Sequence, residues 1–533
     1  MPIMIMKRNC FIKSLRGDRL HPHVSPLPSC SPTRSPPRGR RSPPRPHAPR
    51  LRTAPYSGNP RTPTCDTLRH SLSLPAAPGD PMSPTPSSAL PSALSRRTFL
   101  AVTGAAGASV LTACTSLTPG ASPAEKSSSG GPVSTAVPTD KKITLMLADA
   151  DDTTMTPGLV AAFREKYPNI TVKRQYTGWD DYLKSINTTM SADSAPDIAQ
   201  FVSGMQNLIR GRLLLDVGSY GKAYGWADKF PGLDQITLTA DGKTVGEGAL
   251  YGVPGGLSFE AVYYNKSKAK KLGLTVPPTT VEELEALFAK AKAAGETALV
   301  EGNLDGGLNH VFNVLLSVYM KPEDREAWAF GHKGATLTGP EAVTAATTLK
   351  RWVDKGYVSP KVNGISDNDA TAAFAKGEGV FRISGNWAAA AVAKGLGDRA
   401  GLFNVPPAAA DGKLRTTGAG VYYCVSSKCK NPAAAAAFLD FVASEQAAGI
   451  TAEAGFMAPD ASAMPQQSGL LGDVSTSWQG IVKDTGLQPF IQNASTPTMP
   501  DTLTTQLQLL AGGKVTVEKF LAGFQADYDN YHK

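Results

Sequence analysis

Hydrophobic and polar positions alternate between two periods through most of the chain, which is the pattern of a sheet with crossover helices. Lys142-Ile143-Thr144-Leu145-Met146-Leu147 reads as a short apolar strand. Leu159, Val160, Phe163 and Tyr167 then recur at helical spacing until Pro168 stops them, and Ile170-Thr171-Val172 resumes the extended state. A βαβ opening of this kind predicts an α/β fold with parallel strands. Thr280 with Glu283 is a capping box, and it starts a helix whose Leu284, Leu287, Phe288 and Ala291 form one stripe, ended by Gly295. Thr338, Pro340 and Glu341 open another, predicted to turn Val343, Ala346, Leu349 and Val353 inward, with Gly356 past its end.

This pattern is absent from the first hundred residues. Residues 1–113 hold 20 of the 42 prolines, and stretches such as Ser42-Pro43-Pro44-Arg45-Pro46 have too little apolar surface to fold. The same segment carries 16 Lys+Arg against 3 Asp+Glu, which leaves 38 against 42 for the rest. The formal charge of +9 therefore belongs to the N-terminal segment alone. The body is mildly acidic and unsuited to a phosphate backbone, so nucleic acid is not expected as a partner.

Between the two regions lies an export signal. Ser95-Arg96-Arg97-Thr98-Phe99-Leu100 precedes an apolar run from Ala101 to Val110, too short to span a bilayer, and then Leu111-Thr112-Ala113-Cys114. The arginine pair resembles a twin-arginine signal, and Leu-Thr-Ala-Cys resembles a lipobox, whose cysteine receives a diacylglyceryl group and becomes the mature N-terminus. The expected organisation is an extension over 1–81, disordered and outside the natural protein, with translation starting at or near Met82. A signal peptide follows over 82–113. Lipidated Cys114 and a flexible tether cover 114–139, rich in Ser, Pro, Gly, Thr and Ala.

Cysteine and histidine usage narrows the chemistry. Apart from Cys114, the body retains only Cys424 and Cys429. They are candidates for a local disulfide in an oxidising compartment, and a metal pair is the weaker alternative because neither neighbours a histidine or a second thiolate pair. His310, His332 and His532 are scattered, and no zinc spacing, Gly-x-Ser-x-Gly elbow, phosphate loop or dinucleotide fingerprint occurs. No metal, cofactor or catalytic residue is expected.

Four blocks in order carry a family resemblance. Ala195-Pro196-Asp197-Ile198 with Leu213-Leu214-Leu215-Asp216 comes first. Leu250-Tyr251-Gly252-Val253-Pro254-Gly255-Gly256 follows, with Val262-Tyr263-Tyr264-Asn265-Lys266, Gly273-Leu274 and Pro277-Pro278-Thr279-Thr280. Phe374-Ala375-Lys376-Gly377-Glu378 through Gly385-Asn386-Trp387 is the third, and Ser426-Ser427-Lys428 through Ala436-Ala437-Phe438-Leu439 the last. Together they resemble the family 1 extracellular solute-binding proteins, the maltodextrin-binding-like receptors of ABC importers, over about 140–460. Lys428-Cys429-Lys430 departs from the family's plainer Ser-Lys-Asn pattern.

The resemblance implies a periplasmic-binding-protein-like α/β fold of two lobes joined by a hinge, with ligand in the cleft between them. Lobe 1 is expected over 140–254 and 415–455, and lobe 2 over 255–414 and 456–533. It also implies a non-catalytic monomer on the outer face of the cell membrane, partnered by ABC permease subunits and binding a mono- or oligosaccharide. An exported carbohydrate hydrolase or lyase is the alternative; it would need two carboxylates across a scissile bond, drawn from Asp149, Asp151, Asp152 and Glu260.

A sugar offers C–H faces to aromatic rings and hydroxyl edges to polar side chains. Trp387 matches the family's Gly-x-Trp aromatic and is the stacking candidate. Asn386 beside it is a hydroxyl partner or a helix cap. Asp149, Asp151 and Asp152 follow the first strand, either as ligand groups or as a solvated helix N-terminus. Ser258 and Glu260 lie at the presumed crossover, and Ser203 and Gln206 follow the strand after Pro196-Asp197. Trp179, Asn303, Asp305 and Trp328 are weaker candidates, while Tyr251, Tyr263 and Tyr264 read as fold signature, with at most one touching ligand.

Overall fold

The chain divides between Thr115 and Ser116 into two units. The computed structural model describes residues 133–533 apart from Pro138, Pro231 and Thr485, all within the second unit. The extension, the signal peptide and Cys114 lie outside the described residues.

The strands are β1 (Ile143–Asp149), β2 (Ile170–Tyr176), β3 (Ile198–Phe201), β4 (Thr237–Leu238), β5 (Ala249–Leu250), β6 (Gly252–Asn265), β7 (Phe381–Gly385), β8 (Ala400–Phe403), β9 (Thr416–Val425) and β10 (Leu487–Gln488). Eight of them form one sheet in the order β2-β1-β3-β9-β6-β7, with β10 beside β9 and β8 beside β6. The βαβ opening is present: β1 and β2 are parallel, joined by the helix Met155–Lys166, which ends before Pro168. The long strands β6 and β9 are antiparallel to one another, with an irregularity between Pro254 and Gly256.

These two strands carry the sheet from one lobe into the other. The C-terminal half of β9 pairs with β3, while β6 pairs with β9 as far as Phe259 and from Glu260 onward with β7. A third crossing is pinned where Leu257 and Met457 exchange both backbone hydrogen bonds, at 2.7 and 3.0 Å. Both strands are almost wholly buried, which is why they read as continuous apolar runs. In lobe 1, Val421, Tyr423 and Val425 of β9 face one core with Phe163 and Phe438, and Tyr422 and Cys424 face another with Tyr182 and Phe201. In lobe 2 one core holds Val262, Phe288, Phe312 and Trp352, and the other Phe259, Tyr263 and Trp478.

That alternation corrects the disulfide expectation. Cys424 and Cys429 are both free thiols. Cys424 points from β9 toward Met205, whereas Cys429 packs against the core on the opposite face of the sheet. Strand geometry sends the two thiols to different sides of one sheet.

Local signals hold elsewhere, with adjustments. Thr280 caps the helix Val281–Ala293 by accepting from Glu283 N–H, but the Glu283 carboxylate reaches Thr279 rather than Thr280. The helix Pro340–Asp354 is rotated from its predicted face: Ala342, Ala345, Ala346, Leu349 and Trp352 are buried, while Val343 and Val353 are only half-buried. Trp352 wins the inward position through its larger apolar area and its indole N–H bond to Glu285, 3.0 Å. Among the described residues no helix is long and apolar enough to cross a membrane, and no group of His, Cys, Asp and Glu could hold a metal ion.

Candidate functional site

The site is built on one face of the sheet where β6 passes from lobe 1 to lobe 2. Glu260 is the register partner of Gly385 on β7, so their side-chain positions share a face. Gly385 has no side chain, and the indole of Trp387 lies back over it; a Cβ at Gly385 would collide with the ring. Trp387 is half-buried and packs against cores of both lobes, which places it at their junction.

His310 completes the group from the first turn of the helix Asn309–Tyr319. Its Nδ1 lies 2.6 Å from Glu260 Oε1, and its ring centroid 5.3 Å from that of Trp387. On its other side Nε2 is 3.7 Å from Asp367 Oδ1. Arg382 Nη2 binds the same Asp367 oxygen at 2.6 Å, and Arg382 Nη1 reaches Glu301 at 3.2 Å. Both oxygens of Glu301 accept, one from Arg382 and one from Ile383 N–H, the pattern of a charged carboxylate even though burial pushes its pKa up.

Burial works against every charge here, and the partners decide the outcome. It lowers the affinity of His310 for a proton, but Asp367 and Glu260 outweigh it and hold the imidazole up at about 9. Burial raises the Glu260 carboxyl against the pull of His310. The Glu260–His310 pair is neutral whichever partner carries the shared proton. Arg325, fully enclosed nearby, is lowered to about 9 by burial; its bonds go to Asn313 O, Asn313 Oδ1, Thr417 Oγ1 and Pro489 O.

The remaining predicted residues divide by what holds them. Asn386 is withdrawn as a hydroxyl partner: its amide accepts from Phe259 N–H at 2.9 Å and donates to Gly455 O at 2.8 Å and Leu257 O at 3.3 Å. It is not a helix cap either, but a clasp between β6 and the third crossing. Asp149 is fully buried and held by the Arg174 guanidinium through both oxygens. Asp151 accepts from Thr153 and from Thr156 N–H, so it caps the helix Met155–Lys166. Asp152 alone of the three is exposed, its pKa raised by burial and by Asp151 beside it.

Ser258 donates to Ala419 O at 2.9 Å, a bond within the sheet. Ser203 is half-buried in the turn after β3, and Gln206 is buried at the start of the helix Gln206–Arg210 with neither amide atom bonded. Trp179 is 37% exposed at the start of the helix Trp179–Ser191, with Tyr176 exposed at the end of β2. Asn303 binds Asn363, and Asp305 accepts from Asp367 N–H. Trp328 is core, stacked on Tyr528 at 4.2 Å. Tyr251 and Tyr263 are buried, the latter donating to Gly385 O, and Tyr264 packs on Phe403. His310, Asp367, Arg325 and Arg382 were missed in the sequence. A histidine two positions before Phe312, inside an apolar helix, was the available signal.

Comparisons with known proteins agree with this architecture. The family model described as bacterial extracellular solute-binding protein matches residues 150–449. A protein of Brucella abortus (strain 2308), named only as a binding protein, is 29% identical over 232 residues, 41% of this chain and 51% of its own length. The multiple sugar-binding protein of Streptococcus mutans serotype c is 27% identical over 151 residues, 27% of this chain and 35% of its own. The chain thus spans about half the length, or less, of these curated relatives. Among solved structures, a chitin oligosaccharide binding protein superposes with a TM-score of 0.63 at 23% identity, covering 73% of this chain and 99% of its own. A maltose-bound protein of T. maritima gives 0.59 at 17% identity, covering 73% and 100%. The raffinose complex of the solute-binding protein RafE gives 0.57 at 19%, covering 73% and 100%. With the matched family model covering more than half of the sequence, the chain belongs to the bacterial extracellular solute-binding proteins.

Proposed function

We propose that this chain is the extracytoplasmic receptor of an ABC importer, anchored to the outer face of the cell membrane through a lipid on Cys114, and that it captures a mono- or oligosaccharide against Trp387. One observation carries the reading. A half-exposed indole stands at the junction of two lobes with its ring laid flat over a glycine, beside a buried acid–histidine pair. An aromatic face next to polar groups is what a sugar's C–H face and hydroxyl edge require. The oligosaccharides named for the neighbouring structures support the same class. The shared strands β6 and β9 supply the hinge, and permease subunits would distinguish loaded from empty receptor by shape.

The test is calorimetry with maltose, raffinose and chitin oligosaccharides, followed by chromatography of the recovered ligand. Saturable binding with the sugar returned intact, weakened at least about tenfold by Trp387→Ala, is the expected result. Cleaved sugar, or unchanged affinity in that variant, would defeat the proposal. For the anchor, Cys114→Ser should abolish incorporation of labelled fatty acid into the chain.

A further inference from the structure

Glu260 is 0% exposed, and only one of its carboxylate oxygens is used. Oε1 pairs with His310, while Oε2 has no hydrogen-bond partner. A buried carboxylate oxygen left without a donor is costly, so it persists only where a partner arrives or where function demands it. Its place in the fold is specific: Glu260 sits opposite Gly385, the residue that carries the Trp387 ring, and its partner His310 touches that ring's edge of the site. The unpaired atom therefore lies on the floor beside the aromatic platform.

The surrounding charges restrict what can approach. Glu260 is already answered by His310, and it feels Arg325, whose own hydrogen bonds go to neutral acceptors. An ammonium group brought here meets His310 and Arg325. A carboxylate meets Glu260 and brings no hydrogen for Oε2. A hydroxyl brings the hydrogen without adding a buried charge.

Building on the proposed function, we infer that Glu260 Oε2 reads a hydroxyl of an uncharged sugar lying on Trp387, and that the site selects such sugars over amino sugars and uronic acids. Glu260→Gln is the informative change, because the amide oxygen can still accept from His310 while the atom at Oε2 becomes a donor instead of an acceptor.

The experiment titrates the mature chain and its Glu260→Gln and Trp387→Ala variants with maltose, raffinose and chitin oligosaccharides, and with glucosamine and galacturonate. Thermal melts of the ligand-free proteins run alongside. The expected result is wild-type binding of an uncharged sugar only, weakened about 10- to 100-fold by Glu260→Gln with the ligand-free melt close to wild type. Sugar binding that is lost in Trp387→Ala but untouched in Glu260→Gln would overturn this inference and leave the receptor reading standing. No sugar binding by the wild type would overturn both. Should Glu260→Gln fail to fold, the wild-type ranking decides: tighter binding of glucosamine or galacturonate than of any uncharged sugar refutes the selection.

Discussion

Removing the Asn386 amide should weaken the whole molecule at its crossing point. In the wild type its oxygen accepts from Phe259 N–H and its nitrogen donates to Gly455 O, both fully enclosed. The third bond, to Leu257 O, is longer at 3.3 Å, and that carbonyl also accepts from Met457 N–H, so it stays partnered. Asn386→Ala thus strips a partner from two buried backbone groups, at about 1–3 kcal/mol each, for a loss of about 2–5 kcal/mol with partial relaxation. Asn386→Asp keeps the acceptor for Phe259 but aims a second oxygen at two carbonyls. At neutral pH it should cost more than alanine. Burial among acceptors raises the new carboxyl above its unfolded value, so the variant regains stability as the pH falls and the protonated acid donates to Gly455 O. Urea unfolding followed by tryptophan fluorescence at pH 5 and pH 8 measures both effects. If Asn386→Ala stays within about 0.5 kcal/mol of wild type, or the aspartate variant gains no relative stability at the lower pH, the clasp is not what holds this crossing.

Three further outcomes follow from the geometry. Gly385→Ala drives a methyl into the Trp387 ring, so sugar affinity should fall at least about tenfold while the melt drops modestly, as for other overpacked sites; a displaced emission maximum would report the moved indole. Burial raises the Glu285 carboxyl, but hydrogen bonds from Arg351, Lys355 and Trp352 outweigh it and bring it from 4.5 down to about 2. The stability it contributes is therefore full above its unfolded value and lost as the pH falls through about 2. The melting difference between wild type and Glu285→Gln should shrink over that range, and a constant difference would contradict the assignment. Without reductant, Cys424 and Cys429 should both resist alkylation when folded and both react on unfolding; burial pushes the Cys429 thiol up to about 12 and Cys424 higher still. A digest joining the two cysteines would refute this.

What could be read from the sequence was what short stretches determine. The parallel β1–β2 unit, the Thr280 cap and the stop at Pro168 depend on neighbours within a turn or two, and they appear in the structure. Trp387 was legible because Gly-x-Trp sits in a local block, and the glycine it needs is two residues away. Asn386 was misread because the backbone groups that consume its amide belong to Phe259, Leu257 and Gly455, far along the chain. His310 was passed over as one of three scattered histidines: its acids, Glu260 and Asp367, lie about fifty residues to either side. Only the strand register of β6 with β7 brings them together. The rotated face of Pro340–Asp354 shows the same limit, since alanines beside a tryptophan outweigh two valines once the facing helices are in place.

The order in which the sheet is threaded also governs how the protein can be made. Strand β3, at residues 198–201, acquires its neighbour only when residues 422–425 of β9 exist, and lobe 1 further needs Phe438 and Phe456 for its core. A nascent chain halted near residue 400 would hold most of lobe 2's helices while half of lobe 1 presented a bare, apolar strand edge. Lobe 1 is finished late, although it is started first. Secretion machinery that accepts completed cargo, of the kind the Arg96-Arg97 segment resembles, spares such a chain from crossing the membrane with that edge uncovered.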